Sequence, residues 1–112
     1  MTSYYEPKDL PKFPDVGLFA KAHMDRFFAY YGAATGADGA LSKREKALIA
    51  LAVSHALKCP YCIDAYTTQC LESGSNPEQM TEAVHVAAAM QAGITLVHAV
   101  QMQNALAEKG AL

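Results

Sequence analysis

Two cysteines separated by two residues, Cys59 and Cys62, lie between two stretches with helical sequence patterns. Neither residues 42–58 before them nor residues 61–73 after them contain a strong strand pattern. Pro60 suits the first position of a helix, because the N–H that proline lacks would have no partner there. Cys59 is then expected at the helix cap and Cys62 in the first turn, where the positive end of the helix dipole stabilises a thiolate. This placement is typical of a redox pair, although two such thiols can also share a soft metal ion.

The composition predicts a single domain that works in the cytoplasm. The 112 residues are 52% apolar and 18% charged, and the net charge of −2 comes from acids and bases mixed along the chain. This balance gives no nucleic-acid footprint. Residues 1–10 lack the apolar segment of a signal peptide, and the longest uninterrupted apolar run, residues 47–53, is too short to cross a membrane. We therefore expect a cytoplasmic protein without nucleic-acid or membrane partners, whose thiols are catalytic or metal-binding rather than structural.

The pattern along the chain predicts an all-α bundle of five helices. Prolines at positions 7, 11 and 14 predict an extended N-terminal arm over residues 1–14, followed by a single helical domain over residues 15–112. The first helix is expected to begin near Asp15 and to end in a loop marked by Gly32, Gly36 and residues 37–39.

Capping sequences mark the later helices. Ser42 and Glu45 form a capping box, in which each side chain accepts the backbone N–H of the other residue. Gly74 is expected to end the cysteine-containing helix, and residues 76–79, Asn-Pro-Glu-Gln, to begin the next one. Gly93 is expected to interrupt the last helical stretch. The predicted helices after the first cover residues 42–58, 61–73, 76–90 and 94–108.

Two apolar stretches predict an assembly of several copies. Residues 47–53 are apolar on every side of their helix for nearly two turns, and residues 83–90 are apolar except for His85. A helix that is apolar all round must be surrounded, and a chain of this length has few other helices to offer. We therefore expect a homo-oligomer in which helices pack across subunits.

Two side chains near the cysteines are candidate catalytic residues. His55 is four residues before Cys59 and on the same face if the helix continues, where it can accept a thiol proton or orient a water molecule. Tyr66 is four residues after Cys62, and its hydroxyl can donate to a peroxide or a thiolate. The structural alternatives are a polar position at a subunit contact for His55 and core packing for Tyr66.

Other chemistry-bearing residues have weaker claims to a role. His85 and His98 lie in alanine-rich helices and reach the cysteines only if these helices fold back. Glu45 is the nearest upstream acid, and its capping-box position favours a structural role. Cys70 is expected to be a core cysteine. The remaining positions are expected to be structural, namely His23 as an ordinary helix residue and Met80, Met90 and Met102 in oligomer packing.

The stretch from Glu45 to Tyr66, EKALIALAVSHALKCPYCIDAY, continued through Gly74 and residues 82–84, resembles the alkylhydroperoxidase AhpD and carboxymuconolactone decarboxylase family. The resemblance covers about residues 40–105, and the apolar helix followed by the cysteine pair is its most specific part. The similarity is closest to the arsenosugar biosynthesis-associated peroxidase-like proteins. The segments that carry this finer similarity are residues 4–10, 29–33 and 83–89.

The resemblance implies an all-α fold, trimers or hexamers, and thiol-dependent reduction of a small hydroperoxide without a cofactor. By this analogy Cys62 attacks the peroxide and Cys59 resolves the sulfenic acid into a disulfide. An external thiol or dithiol reductant then restores the pair. The finer resemblance to the arsenosugar biosynthesis-associated proteins also makes an arsenical a candidate substrate of this chain.

Three positions depart from the AhpD pattern. The glutamate twelve residues before the first cysteine is Ala47 here, the histidine directly before the second cysteine is Tyr61, and the histidine four residues after it is Tyr66. The proton relay of AhpD is therefore absent in that form. The candidate replacements are His55, Tyr66, Glu45 and His85. The lactone decarboxylase branch lacks the cysteine pair, so decarboxylation is not expected.

Three other interpretations compete with the peroxidase. Cys-Pro-Tyr-Cys is also the glutaredoxin motif, but glutaredoxins place it after a strand near the N-terminus, whereas here it follows a helix in mid-chain. In a binding function, Cys59 and Cys62 would hold zinc together with His55 or His85, or the two thiols would capture a trivalent arsenical. The third alternative is a helical assembly module without thiol chemistry.

Overall fold

The computed structural model describes residues 4–112, and within that range the chain is helical and contains no strand. The all-α prediction is confirmed, and the strand that a glutaredoxin needs before its cysteines is absent from the described residues. The five α-helices are α1 (Lys21–Gly36), α2 (Lys43–Ala56), α3 (Pro60–Glu72), α4 (Pro77–Val97) and α5 (Ala99–Glu108).

The N-terminal segment, Pro7–Phe19, forms 3-10 turns rather than the predicted extended arm. Proline fixes φ near a value that 3-10 turns and extended backbone share, so its presence does not distinguish the two. The first α-helix consequently begins at Lys21 and not near Asp15. At Gly17 a Cβ would lie 2.8 Å from the Cβ of Met24, so the segment approaches α1 closely there. Residues 1–3 of the predicted arm lie outside the described residues, and the division into arm and domain stays a prediction.

The predicted caps of α2 and α4 are confirmed. Ser42 Oγ accepts the Glu45 N–H at 3.1 Å, and Glu45 Oε1 accepts the Ser42 N–H at 2.9 Å. The hydrogen bonds with Ser42 lower the pKa of the Glu45 carboxyl, and the one from the backbone N–H of Ser42 contributes most. Asn76 and Gln79 form the same reciprocal pair at 2.8 and 3.0 Å. The capping residues therefore fix where α2 and α4 begin.

The last two helices divide at His98, not at Gly93 as predicted. α4 continues through Gly93 to Val97, and α5 begins at Ala99. A glycine inside a helix costs only about 1 kcal/mol relative to alanine. The residues around Gly93 maintain the helical hydrogen bonds, so the glycine alone does not end the helix.

A small core lies where α2 packs against α3 and α4. Its buried apolar residues are Ala47, Leu51 and Cys70, with Leu48, Tyr66 and Met80 packed around them. α5 packs mainly against α4. No residue of α4 or α5 is buried. By length and composition alone, Pro77–Glu108 is apolar enough to cross a membrane, but a single helix of this kind is weak evidence for a membrane protein.

Candidate redox site

The cysteine pair is at the N-terminus of α3, as predicted. Cys59 is the cap residue, and its Sγ accepts the backbone N–H of Cys62 at 3.3 Å. The two Cα atoms are 5.2 Å apart and the sulfurs form a disulfide. In the reduced protein the same N–H donor stabilises a thiolate at Cys59, and the helix dipole acts on both sulfurs.

One side of the disulfide opens into a cavity of about 420 Å³ between α1, α2 and α3, here called the α2-side cavity. Both cysteines line it. The α2 residues on its wall are spaced by three or four positions and so form one helix face. These are Lys46, Ile49, Ala50, Val53, Ser54 and Leu57, and the other lining residues are Tyr31, Ala34, Thr35, Leu41 and Tyr66.

The other side opens into a second cavity of about 430 Å³, here called the N-terminal cavity. Its walls come from the N-terminal segment, α1 and α3. Cys62 borders it, whereas Cys59 does not. The residues shared by the two cavities are Tyr31, Thr35, Cys62 and Tyr66. The N-terminal cavity is further lined by Leu10, Phe13, Pro14, Phe28, Gly32, Gly36, Tyr61, Ala65 and Gln69.

Two tyrosines separate these cavities. The hydroxyls of Tyr31 and Tyr66 are hydrogen-bonded, and by geometry either can donate. Burial, followed by the contact with Tyr66, raises the pKa of Tyr31 far above its usual value. When Tyr31 is the donor, the proton of the Tyr66 hydroxyl is available to a group beside Cys62. The predicted proximity of Tyr66 to Cys62 is found, because both side chains border both cavities.

Sequence reasoning missed Tyr31 and Lys46. Lys46 Nζ donates to the carbonyl oxygens of Ala37 at 2.7 Å and Ala33 at 3.3 Å, where it offsets the negative end of α1 and borders the α2-side cavity. The helical spacing from Lys46 to Leu57 is a sequence signal that would have placed the lysine on the cavity face. No local signal pairs Tyr31 with Tyr66, since they are 35 residues apart.

His55 lines neither of the cavities that reach the disulfide. Its Nδ1 is hydrogen-bonded to the carbonyl oxygen of Leu51 at 2.8 Å, and its ring lies in a separate cleft with Asp64. The predicted shared face assumed a helix that continues to Cys59. Instead α2 ends at Ala56, and Lys58 adopts a left-handed backbone with φ of 56°.

The other candidate residues lie away from the disulfide. His85 is exposed in a cleft of α4, and His98 is exposed at the break between α4 and α5. Glu45 caps α2, and Cys70 is a core cysteine whose thiol pKa is raised by burial. Among residues 4–112 no group of three or more histidine, cysteine or acidic side chains is placed to hold a metal ion, and neither His55 nor His85 lines the cavities that reach the cysteines. His23 is exposed in α1, Met80 packs against the core, and Met90 and Met102 are exposed.

The helix-borne cysteine pair and the all-α fold agree with the comparisons with known proteins. The model of the carboxymuconolactone decarboxylase family matches residues 21–105, and the chain belongs to this family. The match begins at the start of α1, earlier than the expected residue 40. The chain is also similar to uncharacterized protein 4 in the cox locus of Paracoccus denitrificans, with 44% identity over 80 residues, 71% of this chain and 72% of that protein. No solved structure gives a significant match.

Proposed function

We propose that this chain is a thiol-dependent, peroxidase-like oxidoreductase that uses Cys59 and Cys62 as its redox pair. The observation that carries the proposal is the pair itself, at a helix N-terminus and beside two cavities. Its sulfurs are close enough to bond, and the Cys62 N–H that donates to Cys59 Sγ, together with the helix dipole, favours a thiolate in the pair. Family membership supports the proposal, because the family includes AhpD-like peroxidases as well as decarboxylases.

In the first step the Cys62 thiolate attacks the terminal oxygen of a hydroperoxide. An S–O bond forms as the O–O bond breaks, which gives a sulfenic acid at Cys62 and an alkoxide. The Cys59 sulfur then attacks the Cys62 sulfur, the S–S bond forms, and the hydroxyl leaves as water. A thiol or dithiol reductant returns two electrons and two protons to the pair by thiol–disulfide exchange. No cofactor takes part.

Tyr66 is the group proposed to protonate the departing alkoxide. It takes the position of the AhpD histidine four residues after the second cysteine, and it borders the same cavities as Cys62. The Tyr31 hydroxyl is hydrogen-bonded to Tyr66 and, as the donor, would stabilise the negative charge that proton transfer leaves on the Tyr66 oxygen. His55, with its ring outside both cavities, has less support as the relay residue.

We also propose that the functional form is a homo-oligomer in the cytoplasm, a trimer or hexamer as in the family's peroxidases. The support is the exposure of apolar side chains along α4 and α5, including Met90, Ile94 and Val97. A second copy would cover this surface and so explain a helix that is apolar enough for a membrane. The expectation of no nucleic-acid or membrane partner stays a prediction.

Capture of a trivalent arsenical is the second candidate function. It is favoured by two sulfurs that share one cavity without a third protein ligand in the described chain, a donor set that suits a soft ion with an organic substituent. The finer resemblance to arsenosugar-associated proteins stays a prediction. A mass increase of the reduced protein with phenylarsine oxide, lost in Cys59→Ser, would be expected of this function.

Turnover with cumene hydroperoxide and dithiothreitol tests the peroxidase proposal. The wild type is expected to turn over, and Cys62→Ser is expected to be inactive. Cys70→Ala is the matched control, because it removes the buried cysteine and is expected to keep the activity. Full activity of Cys62→Ser would overturn the assigned roles, and an inactive wild type would overturn the proposed function.

A further inference from the structure

The two cavities beside the Cys59–Cys62 disulfide differ in which cysteines line them. The α2-side cavity exposes both cysteines, whereas the N-terminal cavity exposes only Cys62. A hydroperoxide needs access to one sulfur alone, the one that attacks its terminal oxygen. Cys62 is that sulfur in the proposed function, and Tyr66, the proposed proton donor, borders the N-terminal cavity beside it.

The lining of the N-terminal cavity suits an uncharged organic molecule. No charged side chain contributes to it. Phe13 of the N-terminal segment packs edge-to-face on Phe28 of α1, with ring centroids 5.1 Å apart, and forms an aromatic wall. The volume of about 430 Å³ lies within the usual range for small-molecule sites. The lining residues come from the N-terminal segment, α1 and α3 of one chain.

The α2-side cavity has a different character. Lys46 lines it, with its Nζ hydrogen-bonded to the carbonyl oxygens of Ala33 and Ala37. Both cysteines line this cavity, so it does not distinguish the attacking sulfur from the resolving one, whereas the N-terminal cavity is lined by Cys62 and not by Cys59.

We infer that the N-terminal cavity is the binding site for the apolar body of an uncharged organic hydroperoxide, whose peroxide group it presents to Cys62. This inference rests on the proposed function and adds to it the side from which substrate approaches. In this position the terminal oxygen goes to the Cys62 sulfur as the O–O bond breaks. The resulting alkoxide takes its proton from the Tyr66 hydroxyl and leaves as the alcohol through the same cavity.

Three substitutions on α1 distinguish the effect of filling one cavity from that of filling the other. Gly32→Leu fills the N-terminal cavity, and a Cβ at Gly32 meets no atom within 4 Å, so the larger side chain has room. Ala34→Leu fills the α2-side cavity. Ala29→Leu, exposed and on neither cavity wall, is the matched control. Ala65→Leu on α3 fills the N-terminal cavity from its other wall, and it replaces Gly32→Leu if circular dichroism shows that variant unfolded.

The test is the rate at which reduced, full-length protein loses thiols to cumene hydroperoxide and to hydrogen peroxide. For Gly32→Leu we expect a loss of about tenfold or more with cumene hydroperoxide and a change within about twofold with hydrogen peroxide, because only the bulky substrate needs the filled space. Ala34→Leu and Ala29→Leu are expected to match the wild type with both oxidants.

Several outcomes would overturn the inference. A selective loss in Ala34→Leu would move the site to the α2 side, and equal losses with both oxidants would mean that Gly32→Leu acts on structure. If the wild type reacts with both peroxides and no variant discriminates between them, this inference fails while the proposed function stands. If wild-type thiols react with neither peroxide, the proposed function fails and the inference fails with it.

Discussion

The α2–α3 pair and the α4–α5 stretch are both rich in apolar side chains, yet they bury them differently. α2 and α3 supply the core residues Ala47, Leu51 and Cys70. α4 and α5 bury no residue, and their Val97 is 62% exposed. The packing within one chain therefore surrounds the redox pair, whereas the apolar side chains of α4 and α5 stay exposed in it, which is the reason that we propose a homo-oligomer.

The largest expected effect concerns the exposed apolar face of α4. Val86, Met90, Ile94 and Val97 are spaced along one face of α4, and all are exposed. Replacing Met90 and Ile94 together by glutamate is expected to dissociate the homo-oligomer, because each unpaired carboxylate buried in a contact costs roughly 3 kcal/mol or more. Analytical ultracentrifugation measures the change.

Gln103→Glu on α5 adds one glutamate outside this face and is the control for the double substitution, which adds two. It is expected to leave the assembly intact. A wild type that sediments as a monomer, or a double variant that sediments like the wild type, would contradict the proposed use of α4.

A smaller effect is expected in the core of the redox region. Leu51→Ala removes a side chain that is 2% exposed and is expected to lower the free energy of unfolding by about 2–5 kcal/mol. Leu96→Ala, at a position that is 72% exposed, is expected to stay within about 0.5 kcal/mol apart from any effect on assembly. Urea denaturation at two protein concentrations separates the two contributions. The contrast between the buried and the exposed leucine would be contradicted if Leu96→Ala lowered the free energy of unfolding as much as Leu51→Ala at both protein concentrations.

The tyrosine pair should affect catalysis more than folding. Tyr31→Phe is expected to slow peroxide reduction about tenfold, roughly 1.4 kcal/mol, because Tyr66 loses its hydrogen-bond donor. In a Tyr66→Phe background the same substitution should have no further effect. Tyr30→Phe, 75% exposed on α1, is the control and should be neutral. An equal loss from Tyr31→Phe in both backgrounds would indicate a structural role instead.

The smallest effect is the pH dependence of the α2 cap. The pKa of Glu45 is lowered in the folded protein, so its contribution to stability is present above the unfolded pKa and is lost as pH falls through the folded value. Glu45→Gln is therefore expected to reduce stability slightly at neutral pH and to flatten the stability curve on the acid side. Thermal unfolding between pH 3 and 7 checks this, with Glu108→Gln as the exposed control. Parallel curves for the wild type and Glu45→Gln would exclude the effect.

Local sequence signals predicted the parts of the fold and site that local chemistry determines. The capping pairs located the starts of α2 and α4, and Pro60 located the start of α3, with Cys59 at its cap and Cys62 in its first turn. The prediction of an extended N-terminal arm was wrong because proline is compatible with both 3-10 and extended backbone. The predicted end of α4 was wrong because one glycine, Gly93, does not end a helix whose neighbouring residues favour the helical conformation.

The parts of the site that were not predicted depend on tertiary contacts. His55 was expected beside Cys59, but the left-handed residue Lys58 turns the chain between them. The contact between Tyr31 and Tyr66 joins α1 to α3 across 35 residues and leaves no periodic signal. In the proposed homo-oligomer, the surface that covers α4 and α5 comes from further chains, and the pattern of one sequence does not give its geometry.

The most direct test of the redox pair is a count of thiols by intact mass. The reduced protein is treated with one equivalent of cumene hydroperoxide, denatured, and alkylated with iodoacetamide. Its three cysteines give three labels before oxidation. The account predicts a single label afterwards, on Cys70, and no disulfide in the Cys62→Ser variant. Three labels after prolonged exposure of the wild type would contradict it.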